Sequence, residues 1–187
     1  MKAIIDEALR VLKDGGVILY PTDTVWGLGC DATNEAAVAR VFEIKRRSEA
    51  KSLVLLACDL DMVARYIRQI PSIAIDLVEV NDAPMTIVYP GAQGLPASVV
   101  AEDGSVGIRI PQHEFCQELV RRLRKPLVST SANISGEPAP ARFAEIAPEI
   151  RAAADWCAPA RLEAGATARP SQIIKLGLRG EVEILRA

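Results

Sequence analysis

Side chains that can bind anions recur in this sequence at the ends of apolar runs. Hydroxyl groups follow two such runs, an ammonium group continues a helical pattern, and one guanidinium group lies within a strand-like pattern. Guanidinium groups bind carboxylate or phosphate at two points, ammonium groups act as point charges, and hydroxyls fill the remaining positions around an anion. Together these residue types predict a receptor for phosphate and carboxylate groups. The set comprises Thr22, Thr24, Lys45, Arg47, Lys51, Arg109, Ser129, Ser131, Asn133 and Ser171.

Each part of this set also has a purely structural explanation. Residues 21–23, Pro-Thr-Asp, can be turn chemistry with a capping hydroxyl. Residues 45–47 can form a cationic helix end that the helix dipole favours, and residues 129–133 can form a hydroxyl-rich turn. Arg109 lies in an apolar strand pattern and can face either solvent or a site. The residues alone leave both explanations open.

Several common motifs for nucleotide and nucleophile chemistry are absent from the sequence. There is no P-loop ending in Lys-Ser/Thr, no complete dinucleotide fingerprint and no Gly-x-Ser-x-Gly elbow with a partner histidine. The one histidine, His113, lies near an expected helix start and receives no catalytic role. Four widely separated cysteines form no paired ligand motif, so we expect no protein-bound metal site. If this chain binds a nucleotide, it must therefore do so with a different arrangement of residues.

Composition indicates a single domain over residues 1–187. Hydrophobic residues make up 50% of the chain and the net charge is −2, so an anion site must be a local patch. The N-terminus carries a charged helical pattern in place of a signal-peptide core, so we expect a cytoplasmic protein with no membrane contact. The basic residues within 121–125 favour a solvated helix face over a nucleic-acid patch.

Apolar periodicity alternates between helical and strand patterns along the chain. Pro21 is expected to end the first strand and to leave irregular backbone after it. The alternation predicts an α/β protein with a twisted, open, mixed sheet and flanking helices. Strands are expected at residues 17–20, 53–57, 85–89, 105–110, 126–129, 171–176 and 181–185, and the main helices at residues 4–12, 34–45, 62–67, 73–80 and 115–123.

Lys45 continues the apolar stripe of the second expected helix. A lysine in that position either snorkels at the helix end or points into a site, whereas Arg46 is directed toward solvent. Arg47 and Lys51 follow as the helical pattern gives way.

Four sequence blocks, together with a looser fifth, resemble the YrdC-type threonylcarbamoyl-adenylate synthases. They occur in the order that this family shows and cover most of the chain, so their combined signal is stronger than any single block. The blocks are Tyr20-Pro21-Thr22-Asp23-Thr24-Val25-Trp26-Gly27-Leu28-Gly29, Lys45-Arg46-Arg47 followed by Lys51, Ser105-Val106-Gly107-Ile108-Arg109-Ile110-Pro111, Ser129-Thr130-Ser131-Ala132-Asn133 and the looser Pro170-Ser171-Gln172-Ile173-Ile174.

The resemblance implies a YrdC-like fold with a concave, positively lined cavity. It also implies a reaction in which L-threonine, bicarbonate and ATP give threonylcarbamoyl-AMP and pyrophosphate, for use by downstream tRNA threonylcarbamoyl-transfer enzymes. Mg²⁺ would accompany the nucleotide. Threonine would be held by Thr24, Arg109 and Ser171, with Arg109 on its carboxylate; ATP would be bound by Lys45, Arg47, Lys51, Ser105, Ser129, Ser131 and Asn133, with Lys45 and Arg47 as catalytic cations.

The chain departs from the family pattern at several positions. Ser48 and Ser52 replace usual prolines, Trp26 replaces a common tyrosine, and Asp82-Ala83-Pro84 replaces a usual Pro-Gly-Pro. These changes affect expected loop geometry more than the ligand set, and the additional C-terminal domain of some relatives is not expected.

Two alternative functions remain open. One is a YrdC-like module that binds double-stranded RNA or tRNA without turnover, and the other is a paralogue acting on another nucleotide or carbamoyl compound.

Overall fold

The computed structural model describes residues 1–47 and 53–187, and the strands within these ranges form one mixed sheet. They are β1 (Ile18–Pro21), β2 (Trp26–Gly29), β3 (Val54–Leu56), β4 (Met85–Tyr89), β5 (Val106–Arg109), β6 (Leu127–Ser131), β7 (Trp156–Cys157), β8 (Gln172–Leu176) and β9 (Val182–Arg186). Their order across the sheet is β7-β1-β2-β6-β3-β5-β4-β8-β9. Parallel and antiparallel neighbours both occur, since β3 runs parallel to β5 and antiparallel to β6. The predicted α/β class with an open mixed sheet is confirmed.

The helices of the described ranges agree closely with the apolar periodicity. They are α1 (Lys2–Lys13), α2 (Glu35–Lys45), α3 (Leu60–Tyr66), α4 (Ser72–Val80), α5 (Glu114–Leu123) and α6 (Pro148–Ala153). Asn34 caps α2 by accepting a hydrogen bond from the Ala37 N–H at 3.1 Å. Arg46 ends α2 in the left-handed conformation, with φ of 50°. None of the helices formed by residues 1–47 and 53–187 combines the length and apolar character needed to cross a membrane.

The irregular backbone expected after Pro21 is confirmed at residues 22–25, which separate β1 from β2, a strand that the sequence did not predict. Those two strands form an antiparallel pair in which Tyr20 lies opposite Gly27. The glycines make this pairing possible. A Cβ on Gly29 would lie 1.9 Å from the Val128 carbonyl oxygen, and one on Gly27 would lie 3.1 Å from the Tyr20 ring. The Tyr20 hydroxyl donates to the same Val128 carbonyl at 2.8 Å, which ties β1 to β6 across β2.

The strand expected at residues 126–129 continues to Ser131, so the hydroxyls at 129–131 belong to β6 and not to a turn. β2 provides the partner that extends it, since Gly27 pairs with Ser131 and Leu28 pairs with Thr130. Strand geometry therefore places Ser129 and Ser131 on the same face of the sheet.

The sheet register brings the ends of distant sequence blocks together. Arg109 pairs with Thr86 on one side and with Leu56 on the other, while Val54 lies opposite both Gly107 and Ser129. Since residues paired across neighbouring strands share a face, Thr86, Arg109, Val54 and Ser129 line one side of the sheet. A single concave surface can therefore collect their side chains.

Candidate functional site

A cavity of about 400 Å³ lies against that face of the sheet. Strands β2, β3, β4, β5, β6, β8 and β9 all contribute to its wall, and the segment between β1 and β2 also lines it. Its polar and charged lining consists of Thr22, Thr24, Arg47, Thr86, Arg109, Ser129, Thr130, Ser131, Ser171 and Arg186. Three guanidinium groups therefore face one cavity, and within the described ranges no Asp or Glu lines it.

Arg109 faces the cavity and not solvent, with only 4% of its side chain exposed. Its Nη1 donates to Oδ1 of Asp23, and its Nη2 lies 3.4 Å from the Thr24 hydroxyl oxygen. The second oxygen of Asp23 accepts the Gln112 N–H at 3.0 Å. A buried guanidinium group is thus held in one orientation by a carboxylate whose two oxygens are both engaged.

The Thr24 hydroxyl has its orientation set by Thr22. The Thr22 hydroxyl donates to the Val25 carbonyl at 2.8 Å, which uses its single hydrogen. Thr24 must then be the donor in the 2.8 Å contact between the two hydroxyls. Its remaining lone pairs are directed toward Arg109 and the cavity.

Ser171 lies in the same cavity and is held from two sides. Its hydroxyl is 2.8 Å from that of Thr86, which is fully buried on β4. Arg186 donates through Nε to the Ser171 carbonyl at 2.8 Å and places Nη2 3.4 Å from the Ser171 hydroxyl oxygen. The three residues expected to bind threonine, Thr24, Arg109 and Ser171, therefore line one continuous cavity.

Arg47, Ser129 and Ser131 form another part of the cavity wall. Burial lowers the pKa of the Arg47 guanidinium from its ordinary value. Arg47 follows directly after the left-handed Arg46 that ends α2, and it lines the cavity. Lys51, which is also expected to bind ATP, lies outside the described residues.

Lys45 lies behind the cavity wall and does not line it. Its Nζ donates to the carbonyl oxygens of Ser131 at 2.5 Å and Asn133 at 2.7 Å. Burial, together with the nearby charge of Arg47, lowers the Lys45 pKa from 10.5 to about 8. Lys45 fixes the end of β6, and it contributes positive charge from behind that strand.

Ser105 and Asn133, both expected near the nucleotide, are also placed outside the cavity lining. The Ser105 hydroxyl is 2.6 Å from Oδ1 of Asp103, where it stabilises the turn that enters β5. The Asn133 amide nitrogen donates to the carbonyls of Ile134 and Glu137, at 3.0 and 2.8 Å. Local turn bonds occupy the Ser105 hydroxyl and the Asn133 amide nitrogen, whereas the Asn133 Oδ1 is buried without a hydrogen-bond partner among the described residues.

Three residues of this site were missed by the sequence reasoning about ligands. Asp23 was identified only as part of a polar turn, Thr86 was assigned only to a strand, and Arg186 lies just past the expected end of the last strand. Because β9 is exposed along its length, no alternation of buried and exposed residues indicates which face of the strand Arg186 lies on. Burial and the proximity of Arg109 lower the Arg186 pKa.

The basic run in α5 and after it is largely paired with carboxylates. Arg121 contacts Glu118 at 3.2 Å, Arg122 contacts Asp6, and Lys125 contacts Asp31 at 2.9 Å. Each pairing reduces the positive potential that nucleic-acid phosphates would meet. This favours the solvated helix face over a nucleic-acid patch.

The sequence model of the family described as "Telomere recombination", which covers Sua5, YciO and YrdC, matches residues 10–187. The chain belongs to the Sua5/YciO/YrdC family. Two relatives are named threonylcarbamoyl-AMP synthase. The protein of Xanthomonas euvesicatoria pv. vesicatoria (strain 85-10) is 37% identical over 172 residues, and the protein of Stenotrophomonas maltophilia (strain K279a) is 38% identical over 180 residues. Each alignment covers 90% of this chain and 91% of the relative.

Solved structures of the family share the fold. P. abyssi Sua5 complexed with L-threonine superposes with a TM-score of 0.82 at 28% identity, covering 92% of this chain. The present chain spans 50% of that Sua5 chain. E. coli YciO superposes with a TM-score of 0.82 at 23% identity, covering 100% of this chain and 89% of its own. At that identity the YciO likeness shows the fold alone.

The described residues do not fit a dedicated metal site. Within residues 1–47 and 53–187, no group of three or more His, Cys, Asp or Glu side chains could hold an ion. The Asp23 carboxylate beside the cavity is already engaged by Arg109 and by the Gln112 N–H. Magnesium with a nucleotide would take ligands from phosphate oxygens and water. No step of the chemistry is therefore assigned to a protein-bound metal.

Proposed function

We propose that the protein synthesises threonylcarbamoyl-AMP in the cavity described above. The reaction consumes L-threonine, bicarbonate and ATP and releases pyrophosphate and water. The protein is thus an ATP-dependent nucleotidyltransferase for tRNA threonylcarbamoyladenosine modification. The observation that carries the proposal is that one cavity holds Arg109, Thr24 and Ser171 together with Arg47, Ser129 and Ser131. Family membership and the names of relatives at 37–38% identity over 90% of the chain agree with it.

The amino-acid end of the cavity is formed by Thr24, Arg109 and Ser171. The Arg109 guanidinium binds the carboxylate of threonine, because a guanidinium matches a carboxylate at two points. The hydroxyls of Thr24 and Ser171 bind the polar groups on the substrate Cα and Cβ. This assignment accords with the L-threonine that P. abyssi Sua5 binds.

The nucleotide end is formed by Arg47, Ser129 and Ser131, and Arg186, which contacts Ser171, adds a further cation to the same cavity. Arg47 and Arg186 neutralise the triphosphate and the charge that develops on the leaving pyrophosphate. Lys45 acts through Ser131 and Asn133, whose carbonyls it holds, and adds charge from behind the wall. Lys51, Ser105 and Asn133 remain part of the proposed ATP-binding set, and Mg²⁺ accompanies the nucleotide as part of the substrate.

The chemistry needs positioning more than a strong protein base. Threonine and bicarbonate first give a carbamate on the threonine nitrogen, with loss of water. A carbamate oxygen then forms a bond to the α-phosphorus as the bond from that phosphorus to the pyrophosphate oxygen breaks. The cavity holds the carbamate and the α-phosphate together and supplies positive charge to the leaving group.

The product is a mixed anhydride of a carbamate and a phosphate, which reacts readily with nucleophiles, so we propose delivery to a tRNA threonylcarbamoyl-transfer enzyme in the cytoplasm. Direct contact of this chain with tRNA or double-stranded RNA is tested by measuring binding at about 50 and about 200 mM salt, because binding carried by phosphates weakens steeply over that range.

The proposed reaction is tested by identifying its product. The protein is incubated with L-threonine, ATP and isotopically labelled bicarbonate. The nucleotides are then separated, and their masses are measured by mass spectrometry. The expected product is an AMP adduct that carries both the label and threonine. Formation of a labelled carbamoyl nucleotide without threonine would contradict the proposal and favour a different carbamoyl substrate.

A further inference from the structure

Asp23 connects three walls of the cavity. Its carboxylate contacts Arg109 at the end of β5 and accepts the Gln112 N–H, while its own carbonyl accepts the Thr167 N–H at 2.9 Å. The next carbonyl, of Thr24, accepts the Ala168 N–H at 3.0 Å. Residues 167–168 lead into Ser171, so one turn joins all three elements that carry the amino-acid end.

The charges of Arg109 and Arg186 are compensated differently. Arg109 shares a buried contact with the Asp23 carboxylate, whose side chain is only 10% exposed. Arg186 donates to the carbonyl and hydroxyl oxygens of Ser171, which carry no formal charge. A polyphosphate entering this cavity is therefore attracted more strongly to Arg186 than to Arg109.

We propose that Asp23 is a positioning residue that reserves Arg109 for the carboxylate of the amino acid. It does so in two ways: it fixes the direction of the guanidinium, and it offsets enough charge that phosphate groups do not bind there. The inference rests on the proposed function, because it assumes that the cavity accepts an amino acid and a nucleotide at the same time.

The two roles are separable by chemistry at residue 23. Asp23→Asn keeps an oxygen that can accept the Gln112 N–H but removes the negative charge. Asp23→Glu keeps the charge and displaces it by one methylene group. The first variant should lose both orientation and selectivity for anions, whereas the second should lose orientation alone.

The test is calorimetric titration of the whole protein with L-threonine, with and without inorganic pyrophosphate. In the unaltered protein, pyrophosphate should leave threonine affinity unchanged, because the two anions bind at different ends. In Asp23→Asn, threonine affinity should fall at least about tenfold, and added pyrophosphate should compete with threonine. Asp23→Glu should weaken threonine binding without pyrophosphate competition.

A matched control is Asp6→Asn, which removes a carboxylate from an ion pair with Arg122 on the surface. It should bind threonine as the unaltered protein does. If Asp23→Asn does not fold, as judged by its thermal transition, Asp23→Glu decides the question alone. The proposed role of Asp23 would be overturned if pyrophosphate competed with threonine in Asp23→Glu. It would also be overturned if pyrophosphate did not compete with threonine in a folded Asp23→Asn.

The same titrations distinguish failure of the proposed function from failure of this inference. If the unaltered protein binds no L-threonine, both the function and this inference are overturned. If it binds threonine and both Asp23 variants bind it equally well, only the inference is overturned.

Discussion

The ammonium group of Lys45 lies 2.7 Å from the carbonyl oxygen of Asn133 and 2.5 Å from that of Ser131. A charged side chain at the end of α2 therefore fixes the end of β6, where two hydroxyls enter the cavity. The lysine stem is buried, with 1% of the residue exposed. The structure thereby couples the cationic sequence block to the hydroxyl block through the backbone of β6.

Replacing Lys45 by methionine should lower both stability and turnover. The stem is preserved, but the carbonyls of two half-buried residues lose a charged donor, which costs about 1–3 kcal/mol in the free energy of unfolding. Because Ser131 is then less well fixed, kcat/KM for ATP should fall by at least about tenfold. Urea denaturation and steady-state kinetics measure the two effects.

The control for Lys45→Met is the same substitution at the next residue. Arg46 is exposed and contacts only the exposed Glu149 among the ion pairs of the described chain. Arg46→Met should change stability by less than about 1 kcal/mol and leave turnover unaltered. Equal losses in both variants would contradict the special role of Lys45.

The Lys45 pKa of about 8 predicts two opposite pH effects. Burial lowers this pKa below its ordinary 10.5, so between these values the unfolded chain binds more protons than the folded protein. The destabilising contribution of Lys45 is therefore complete below pH 8 and is relieved as the pH rises from 8 toward 10.5. The positive charge it gives the nucleotide end is lost over the same range.

This prediction is checked by the pH profile of kcat/KM for ATP between about pH 6.5 and pH 9.5. The profile should decline through an apparent pKa near 8. In Lys45→Arg, which stays protonated throughout, that inflection should vanish even if the rate is lower. An identical inflection in both proteins would assign it to a substrate or to another group.

Replacing Arg109 by lysine should act mainly on threonine. Charge is retained, but the two-point match to a carboxylate is lost, so KM for L-threonine should rise at least about tenfold. KM for ATP should change much less, because the nucleotide end is formed by other residues. Arg122→Lys, in an ion pair with Asp6 on the surface, is the matched control and should leave both KM values unchanged.

Arg109→Ala should in addition destabilise the fold. It leaves the Asp23 carboxylate buried without its cation, and removing one member of a buried pair costs about 3–5 kcal/mol. A folded Arg109→Ala with an unaltered threonine requirement would remove Arg109 from the amino-acid end.

Glu163 supports the wall of the site from the side of β2. Its Oε2 accepts both the indole N–H of Trp26 and the backbone N–H of Phe143, each at 2.7 Å. Since Trp26 is fully buried, Glu163→Ala should leave its N–H without a partner and reduce the free energy of unfolding by about 1–3 kcal/mol. Glu149→Ala, which breaks an exposed pair with Arg46, should cost less than about 1 kcal/mol in the same urea titration.

The elements that could be predicted from the sequence are those set by local patterns. Apolar periodicity identified α1, α2 and α5, and Asn34, a residue type favoured at helix N-caps, caps α2. β2 was missed because Trp-Gly-Leu-Gly lacks the usual strand composition. Its glycines are required by the Tyr20 ring and the Val128 carbonyl, which are distant in sequence.

The sequence identified many of the residues around the cavity, but it did not determine which way their side chains face. The sequence could not decide whether Arg109 meets solvent or a site, because that depends on Asp23, which lies 86 residues away. Nor could the sequence show that the Lys45 ammonium group donates to two carbonyl oxygens behind the cavity wall. Arg186 was missed because the strand expected at residues 181–185 stops one residue before it, and a register shift in the β8–β9 pair places it opposite Ile173, near Ser171.

The most direct test of the central claim is pyrophosphate release from ATP by the purified protein in bicarbonate buffer. Release should require both L-threonine and bicarbonate, should be absent with L-serine in place of threonine, and should be lost in Arg47→Met while that variant keeps its fold. Pyrophosphate release at the same rate without threonine, or with serine in its place, would contradict the assignment of this cavity to threonylcarbamoyl-AMP synthesis.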